Sequence, residues 1–154
     1  MSLISTAYDA LVARVESVLD ATTNGYTRIP NPYNVEDNME TKLRKGYGVA
    51  LLAGTNTNRQ VNCKFSVSRQ IEVVLTRLYT GQEENAVTKA SLEKLLLEDQ
   101  YLIINDFEQD ITINGQTMYT RWETDSGIEF LASETSRFYV LRTQFSLEYL
   151  ENFA

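Results

Sequence analysis

Apolar and polar side chains alternate along residues 61–79, so that one side of an extended chain would be apolar and the other polar. Arg69 and Arg77 interrupt the apolar side. A single strand of this length would span roughly 60 Å, several times the usual strand. We therefore expect the segment to bend or to reach outside its own fold. The apolar positions are Val61, Cys63, Phe65, Val67, Ile71, Val73, Leu75 and Tyr79.

Two other segments carry apolar residues at helical spacing. Ser5 can cap a first helix, which is predicted to reach about Asp20 and to end before Asn24 and Gly25. A second amphipathic helix is predicted from about Ser91 to Asn105. A single apolar side is typical of helices that lie on a sheet.

Shorter apolar runs predict the remaining strands. Gly46–Gly54 is expected to be a strand that the polar Thr55–Arg59 joins to the alternating segment, giving a hairpin whose second arm is longer than its first. Asn114 and Gly115 are typical of a tight turn between two strands. The other predicted segments are the loop Tyr26–Arg44, the turn at Gly81–Asn85, the strands Ile111–Ile113 and Met118–Trp122, the turn Asp125–Gly127, and the strands Ile128–Leu131 and Phe138–Tyr149.

The order of these elements is helix, hairpin, helix and then several strands. Most connections are too short for parallel crossovers. We therefore predict an α+β fold with one largely antiparallel, twisted β-sheet and two α-helices packed on one face. The 154 residues fit a single domain, 1–154.

Composition narrows the possible functions. The chain has no histidine, which removes the commonest general base and the commonest metal ligand. Cys63 lies on the apolar side of its strand, where a buried, inert thiol is expected. We expect no enzymatic activity, no metal and no cofactor. A formal net charge of −7 disfavours tight binding to nucleic acid.

The hydropathy along the chain indicates neither a membrane span nor a signal peptide. No stretch reaches the roughly 18 apolar residues of a membrane span. Met1–Asp9 lacks the basic start and apolar run of a signal peptide. We expect a soluble, non-exported protein.

Two clusters come near to known sites without meeting their requirements. Gly46 and Gly48 precede a strand, whereas a phosphate loop precedes a helix, so a turn-forming pair is expected. Asp106, Glu108 and Asp110 lack the spacing of a calcium loop and are expected to form a solvated acidic turn.

Arg69 and Arg77 need partners if they lie on the apolar side of a strand. The partner could be an internal carboxylate, a bend could carry the arginine to the rim of the sheet, or an acid on a neighbouring subunit could pair with it. We favour the bend or rim for Arg69 and leave Arg77 open.

The arrangement resembles the tail terminator proteins of long-tailed bacteriophages, the lambda-type minor tail protein family. The features that carry the resemblance extend over nearly the whole chain. They are the leading helix Ser5–Asp20, the strand Gly46–Gly54, the strand Arg69–Tyr79 with its following turn, the helix around Ser91–Ile104, the acidic turn in Thr124–Leu131 and the closing amphipathic strand Arg137–Glu151.

The resemblance implies a structural virion protein. Such a protein forms a hexameric ring on the tail tube, ends tube polymerisation and joins the tail to the head connector or head-completion protein. The implied partners are copies of the same chain, the tube protein and the connector, with DNA only as passing cargo. The implied location is the tail–neck junction of a virion assembled in the host cytoplasm.

The same resemblance suggests which residues face the channel and which face partners. The polar sheet face would line the channel through Gln70, Glu72, Gln144 and Glu148. The rim loops Thr55–Arg59, Gly81–Asn85 and Asp125–Ser136 would contact partners. The interface candidates are Arg59, Arg69, Arg77, Glu83, Glu84, Asp125, Arg137 and Arg142.

Two other interpretations stay open at this point. One is a different phage neck or head–tail joining protein of the same architecture. The other is a small dimeric interaction module, in which Val74, Leu78, Phe138 and Val140 form a patch on a two-fold axis.

Overall fold

The computed structural model describes residues 3–19, 25–29, 32–33, 45–61, 64–78, 86–113, 115, 117, 119–132 and 137–152. Their elements, in chain order, are α1 (Leu3–Val18), β1 (Thr27–Arg28), β2 (Lys45–Val61), β3 (Lys64–Leu78), α2 (Ala86–Gln109), β4 (Tyr119–Ala132) and β5 (Arg137–Asn152). The strands form one sheet in the order β1-β2-β3-β5-β4. All pairs are antiparallel except the short β1–β2 pair. The predicted α+β fold is confirmed.

The strict alternation of β3 gives the sheet two different faces. Ile71, Val73 and Leu75 are fully buried against the helices, together with residues of β2 and β5 at paired register positions. We call this side the helix face. Leu11 and Val15 of α1 and Leu19, directly after it, complete the core on one side. Leu96, Ile103 and Phe107 of α2 complete it on the other.

The two helices are also joined to each other. The Arg14 guanidinium of α1 binds the Asp106 and Asp110 carboxylates at 3.0 and 2.8 Å. These carboxylates hold the pKa of Arg14 above its ordinary value. The predicted solvated acidic turn is therefore wrong for these two residues, because both are engaged by a partly buried arginine.

The long alternating segment stays within the fold. All of β3 is paired on one side by β5, from Lys64 opposite Asn152 to Leu78 opposite Phe138. On the other side β2 has 17 residues against 15 in β3, so the first arm of the hairpin is not the shorter one. Thr55–Arg59 continues β2 and is not a loop. Polar residues are tolerated there because Ala53–Asn56 is exposed at the edge of the sheet.

The predicted strand Ile111–Ile113, the first arm of the expected hairpin, is wrong, and Asn114 of the expected turn lies outside the described residues. Ile111–Ile113 forms a turn after α2, and the strand begins only at Tyr119. The Asp110 carboxylate accepts hydrogen bonds from the Thr112 amide and hydroxyl, which ends the helix. The Ile113 side chain is fully buried and packs in the hydrophobic core.

The predicted turn Asp125–Gly127 is a bulge within one strand, β4. The register shifts between Asp125 and Ile128, and Gly127 has a φ of +71°. Glycine adopts this left-handed backbone without strain, which lets the strand continue past the bulge.

Candidate functional site

The four predicted channel residues lie on one face of the sheet, opposite the helices. Glu72 is directly opposite Gln144 in the β3–β5 register, and Gln70 and Glu148 are each opposite a serine in the same pair of strands. Tyr119 and Arg121 of β4 continue this surface beside Glu148 and Ser146. We call it the polar face. Its described members are Ser66, Ser68, Gln70, Glu72, Tyr119, Arg121, Arg142, Gln144, Ser146 and Glu148.

These four residues are not equally accessible. Gln70 is exposed and Gln144 is half-buried, whereas Glu72 and Glu148 are only 9% and 5% exposed. The Ser66 hydroxyl donates a hydrogen bond of 2.6 Å to Glu148. Burial and a hydrogen bond to Glu148 raise the pKa of Tyr119. Glu148 is therefore a carboxylate fixed by hydroxyl donors.

Both arginines of the polar face are beside carboxylates. The Arg142 guanidinium lies 3.5 Å from Glu72, and the Arg121 guanidinium lies 2.8 Å from Glu123. Since each cation has an acid next to it, this face does not concentrate positive charge. A surface of this kind gives phosphate groups little to hold.

Arg77, an interface candidate from the sequence, is used inside the molecule. Its guanidinium binds the Asp99 carboxylate of α2 at 2.8 Å, and only 9% of Arg77 is exposed. Asp99 also accepts a short hydrogen bond from the Tyr26 hydroxyl. Of the three partners considered, the structure contains the internal carboxylate. The Arg77 Nε has no hydrogen-bond partner among the described residues.

Arg69 lies opposite a bulge in β2. From the sequence we expect a position at a bend or at the rim of the sheet, and the bulge is a local bend of this kind. Its guanidinium donates to the Leu52 carbonyl at 2.8 Å and to the Tyr149 hydroxyl at 3.2 Å. The β2–β3 register shifts between Leu51 and Gly54. A side chain at Gly54 would collide with this guanidinium, since an added Cβ would lie 2.7 Å from it. Glycine at this bulge makes room for Arg69.

The patch predicted for a two-fold dimer is covered within the chain. Val74 and Val140 are fully buried and Phe138 is 3% exposed, in a cluster completed by Ile29. This cluster lies on the side of the sheet opposite the helices. Ile29 therefore takes the place that the dimer interpretation gave to a second subunit.

Ile29 belongs to a segment that crosses the outer edge of β2. Tyr26 is buried in the helix-face core, β1 pairs with Gly46 and Tyr47, and Ile29 lies on the opposite face. The Leu51 amide donates to the Tyr33 hydroxyl at 3.2 Å. We call residues 25–29 and 32–33 the strap.

The strap explains Gly46 and Gly48, which lie within β2 and do not form the predicted turn. An added Cβ at Gly46 would lie 2.5 Å from Ile29, and one at Gly48 would lie 2.7 Å from Pro32. Glycine is needed at both positions because the strap packs directly against the backbone of β2.

The two outer strands differ in how much of their edge is covered. The strap contacts β2 between Gly46 and Leu51, and beyond Leu51 no described strand pairs with its outer side. No described strand pairs with the outer side of β4 along its 14 residues. An unpaired strand presents backbone donors and acceptors that a further strand can bind.

The sequence reasoning missed a set of exposed apolar residues on α2, in the turn after it and on β4. Seven of the eight large exposed hydrophobic side chains among the described residues belong to α2, to the turn after it or to β4. They are Leu95, Leu97, Tyr101, Leu102, Ile111, Trp122 and Phe130. The available signal was that α2 is apolar on more than one side, which is unusual for a surface helix.

Several predicted residues lie outside what the structure describes. Glu83, Glu84 and the turn Gly81–Asn85 are not among the described residues, nor is Cys63. The side chains of Arg59 and Arg137 are likewise not described, although their backbones belong to β2 and β5. Asp125 lies in β4 and accepts a hydrogen bond from Gln100 of α2 at 3.0 Å.

The described residues contain neither a candidate metal site nor a membrane-spanning helix. No group of three or more histidine, cysteine, aspartate or glutamate side chains in the described part of the chain could hold a metal ion. Over the same residues, no helix is long and apolar enough to cross a membrane.

No protein-family model matches the chain, and a search of curated proteins finds no match.

Proposed function

We propose that this chain is a structural virion protein that forms a ring on the end of a phage tail tube. The ring ends tube polymerisation and joins the tail to the head connector, at the junction of tail and neck. The observation that carries the proposal is that no described strand pairs with the outer side of β4 or with β2 beyond Leu51.

An open sheet of this kind supports ring closure. Two different edges of one chain can pair head to tail with neighbouring copies, and such contacts close into a ring when the rotation between copies is right. The covered patch at Val74 and Val140 removes the main support for a two-fold dimer. This favours heterologous contacts over isologous ones.

In the proposed ring the polar face lines the channel. Gln70, Glu72, Gln144 and Glu148 share this face, and its two arginines are beside carboxylates. DNA would pass such a wall without being held, because few unpaired cations are available to its phosphates. The proposal thus assigns DNA the role of cargo.

The functional test is electron microscopy of the purified protein with and without phage tail tubes. We expect six-fold top views of the protein and a cap of density on one end of the tubes, together with tubes that no longer elongate when tube protein is added. Tubes that stay bare and continue to elongate in an excess of the protein would contradict the terminator function. If the protein formed rings but did not cap the tubes, the proposed ring would stand and the proposed termination of the tube would fail.

A further inference from the structure

We propose that the contact between subunits pairs β4 of one copy with the distal part of β2, Leu52–Val61, of the next copy. This inference rests on the proposed ring and names the surfaces that build it. The exposed apolar residues of α2 and β4 would pack against the incoming copy on the helix side of the new strand pair.

Exposed apolar side chains lie beside the outer edge of β4. Trp122 and Phe130 are 42% and 48% exposed, on the helix face of β4, which pairs with β5 on its inner side. Leu97 and Tyr101, from α2 above it, are 47% and 63% exposed. With roughly 200 Å² for a large side chain, these four residues leave on the order of 400 Å² of apolar surface. The largest apolar patch on a monomer covers roughly 300–600 Å² and is often functional, so a patch of this size is a candidate contact surface.

The open edge of β4 can accept a further strand. An extended strand from a second copy can form hydrogen bonds with the backbone groups on the outer side of β4, as in β-augmentation. Among the described strands of this chain, only β2 offers a second open edge. The strap restricts it to the part beyond Leu51, since Gly46–Leu51 is already contacted by Thr27, Ile29 and Tyr33.

The charges of the two strands are opposite. The distal part of β2, Leu52–Val61, contains Arg59 and no acidic residue, which gives a net charge of +1, whereas Lys45 lies at the other end of the strand. β4 contains one arginine and three carboxylates, Glu123, Asp125 and Glu129, which gives −2. Pairing β4 with β2 brings opposite charges together, whereas pairing β4 with β4 or β2 with β2 brings like charges together. The charges therefore select the head-to-tail contact.

The test uses two charge-reversed variants and their mixture. The β2 variant carries Thr55→Glu and Arg59→Glu, and the β4 variant carries Glu123→Lys and Glu129→Lys. Each alone places like charges at both edges, so we expect at least a tenfold loss of self-association in low salt. An equal mixture restores opposite charges at both contacts, and we expect oligomers of wild-type mass in which the two variants alternate.

Two readouts separate this inference from the ring proposal itself. Particle mass reports association, and the single tryptophan, Trp122, reports burial of the β4 side through a blue shift of its fluorescence. Circular dichroism checks that each variant is folded. If wild type forms rings while both variants still do so alone, or while Trp122 emission is unchanged, the β2–β4 assignment is overturned and the ring remains. If wild type does not associate at any concentration, the ring proposal fails as well.

Discussion

A buried ion pair between Arg77 of β3 and Asp99 of α2 helps to position α2 on the sheet. Arg77 interrupts the apolar side of β3, and Asp99 interrupts the apolar stripe of α2, so each residue looks misplaced in the sequence. In the structure they lie 2.8 Å apart, and the Tyr26 hydroxyl binds the same carboxylate. The pair thus joins α2, β3 and the strap at one point. Pattern alone could not predict this, because nothing in the sequence shows which acid meets which arginine.

Loss of Asp99 should therefore be costly. Asp99→Asn removes the carboxylate and leaves Arg77 charged, buried and already short of one hydrogen bond. We expect the free energy of unfolding, measured in urea, to fall by about 3 kcal/mol. The matched control is Asp106→Asn, whose partner Arg14 is more accessible and keeps Asp110; its cost should be about 1 kcal/mol. Equal losses in the two variants would contradict the role given to Asp99.

Tyr26 gives this cluster a pH dependence at the alkaline end. Burial, and then the hydrogen bond to Asp99, raise the pKa of Tyr26 far above its ordinary value. A raised pKa means that the folded state favours the neutral phenol. Its contribution to stability is complete below the unfolded pKa of about 10 and is lost as the pH rises from there toward the folded value.

We therefore expect the melting temperature to decline steeply above about pH 10. Tyr26→Phe lowers the stability at neutral pH and makes that alkaline decline shallower, because the titrating group is gone. Thermal melts between pH 8 and pH 11 measure both effects. Tyr101→Phe, at an exposed position on α2, serves as the control and keeps the wild-type decline. An unchanged decline in Tyr26→Phe would contradict the assignment.

Among the elements, those with long, regular patterns were predicted well. The leading helix, β3 and β5 are found close to their predicted bounds, because each has a single apolar side that must face the core. α2 extends from Ala86 to Gln109 and is longer than predicted. The pattern at the polar end of β2 lacks apolar residues and therefore predicts a connection between strands, whereas the structure continues the strand there. At the edge of a sheet, backbone pairing on one side is enough to hold such a strand.

The strap was the element that the sequence could not reveal. Only two of its residues pair with β2, and its anchors Tyr26 and Ile29 lie on opposite faces of the sheet. No periodicity marks such a segment. The indirect signal was the pair Gly46 and Gly48, which requires a close approach by another part of the chain.

Adding a methyl group at Gly46 tests the strap directly. The new Cβ of Gly46→Ala would lie 2.5 Å from both Ile29 and Thr76, so we expect a loss of about 2 kcal/mol in stability. Gly54→Ala is the comparison: its Cβ would meet the far end of the long Arg69 side chain, which can shift at the cost of its hydrogen bonds to Leu52 and Tyr149, so we expect a smaller loss. Combining Gly46→Ala with Ile29→Ala should cost less than the two single changes together. Strict additivity in that double-mutant cycle would contradict the packing of the strap on β2.

For the molecule as a whole, the distribution of charge decides how it meets DNA. The chain carries a formal net charge of −7, and the arginines of the polar face have carboxylate neighbours. We expect any binding of duplex DNA at physiological salt to be weaker than about 100 μM, the weak end of the range of non-specific binders. Fluorescence anisotropy with a labelled duplex measures this. Tight, salt-sensitive binding would contradict the channel role of the polar face.

Glu72→Gln is the informative variant in that assay. It removes the carboxylate next to Arg142 without changing the size of the side chain. Any gain in DNA binding should be small and should disappear as salt is raised, since a single cation adds about one phosphate contact.

The central claim is that the open edges of the sheet are completed by other copies of this chain. The most direct test is the particle mass of the purified wild-type protein over a wide range of concentrations, by native mass spectrometry or light scattering. The account predicts a discrete species at six times the chain mass of 17.6 kDa, forming from monomer as the concentration rises. A protein that stays at 17.6 kDa at every concentration, or that stops at a dimer, would contradict it.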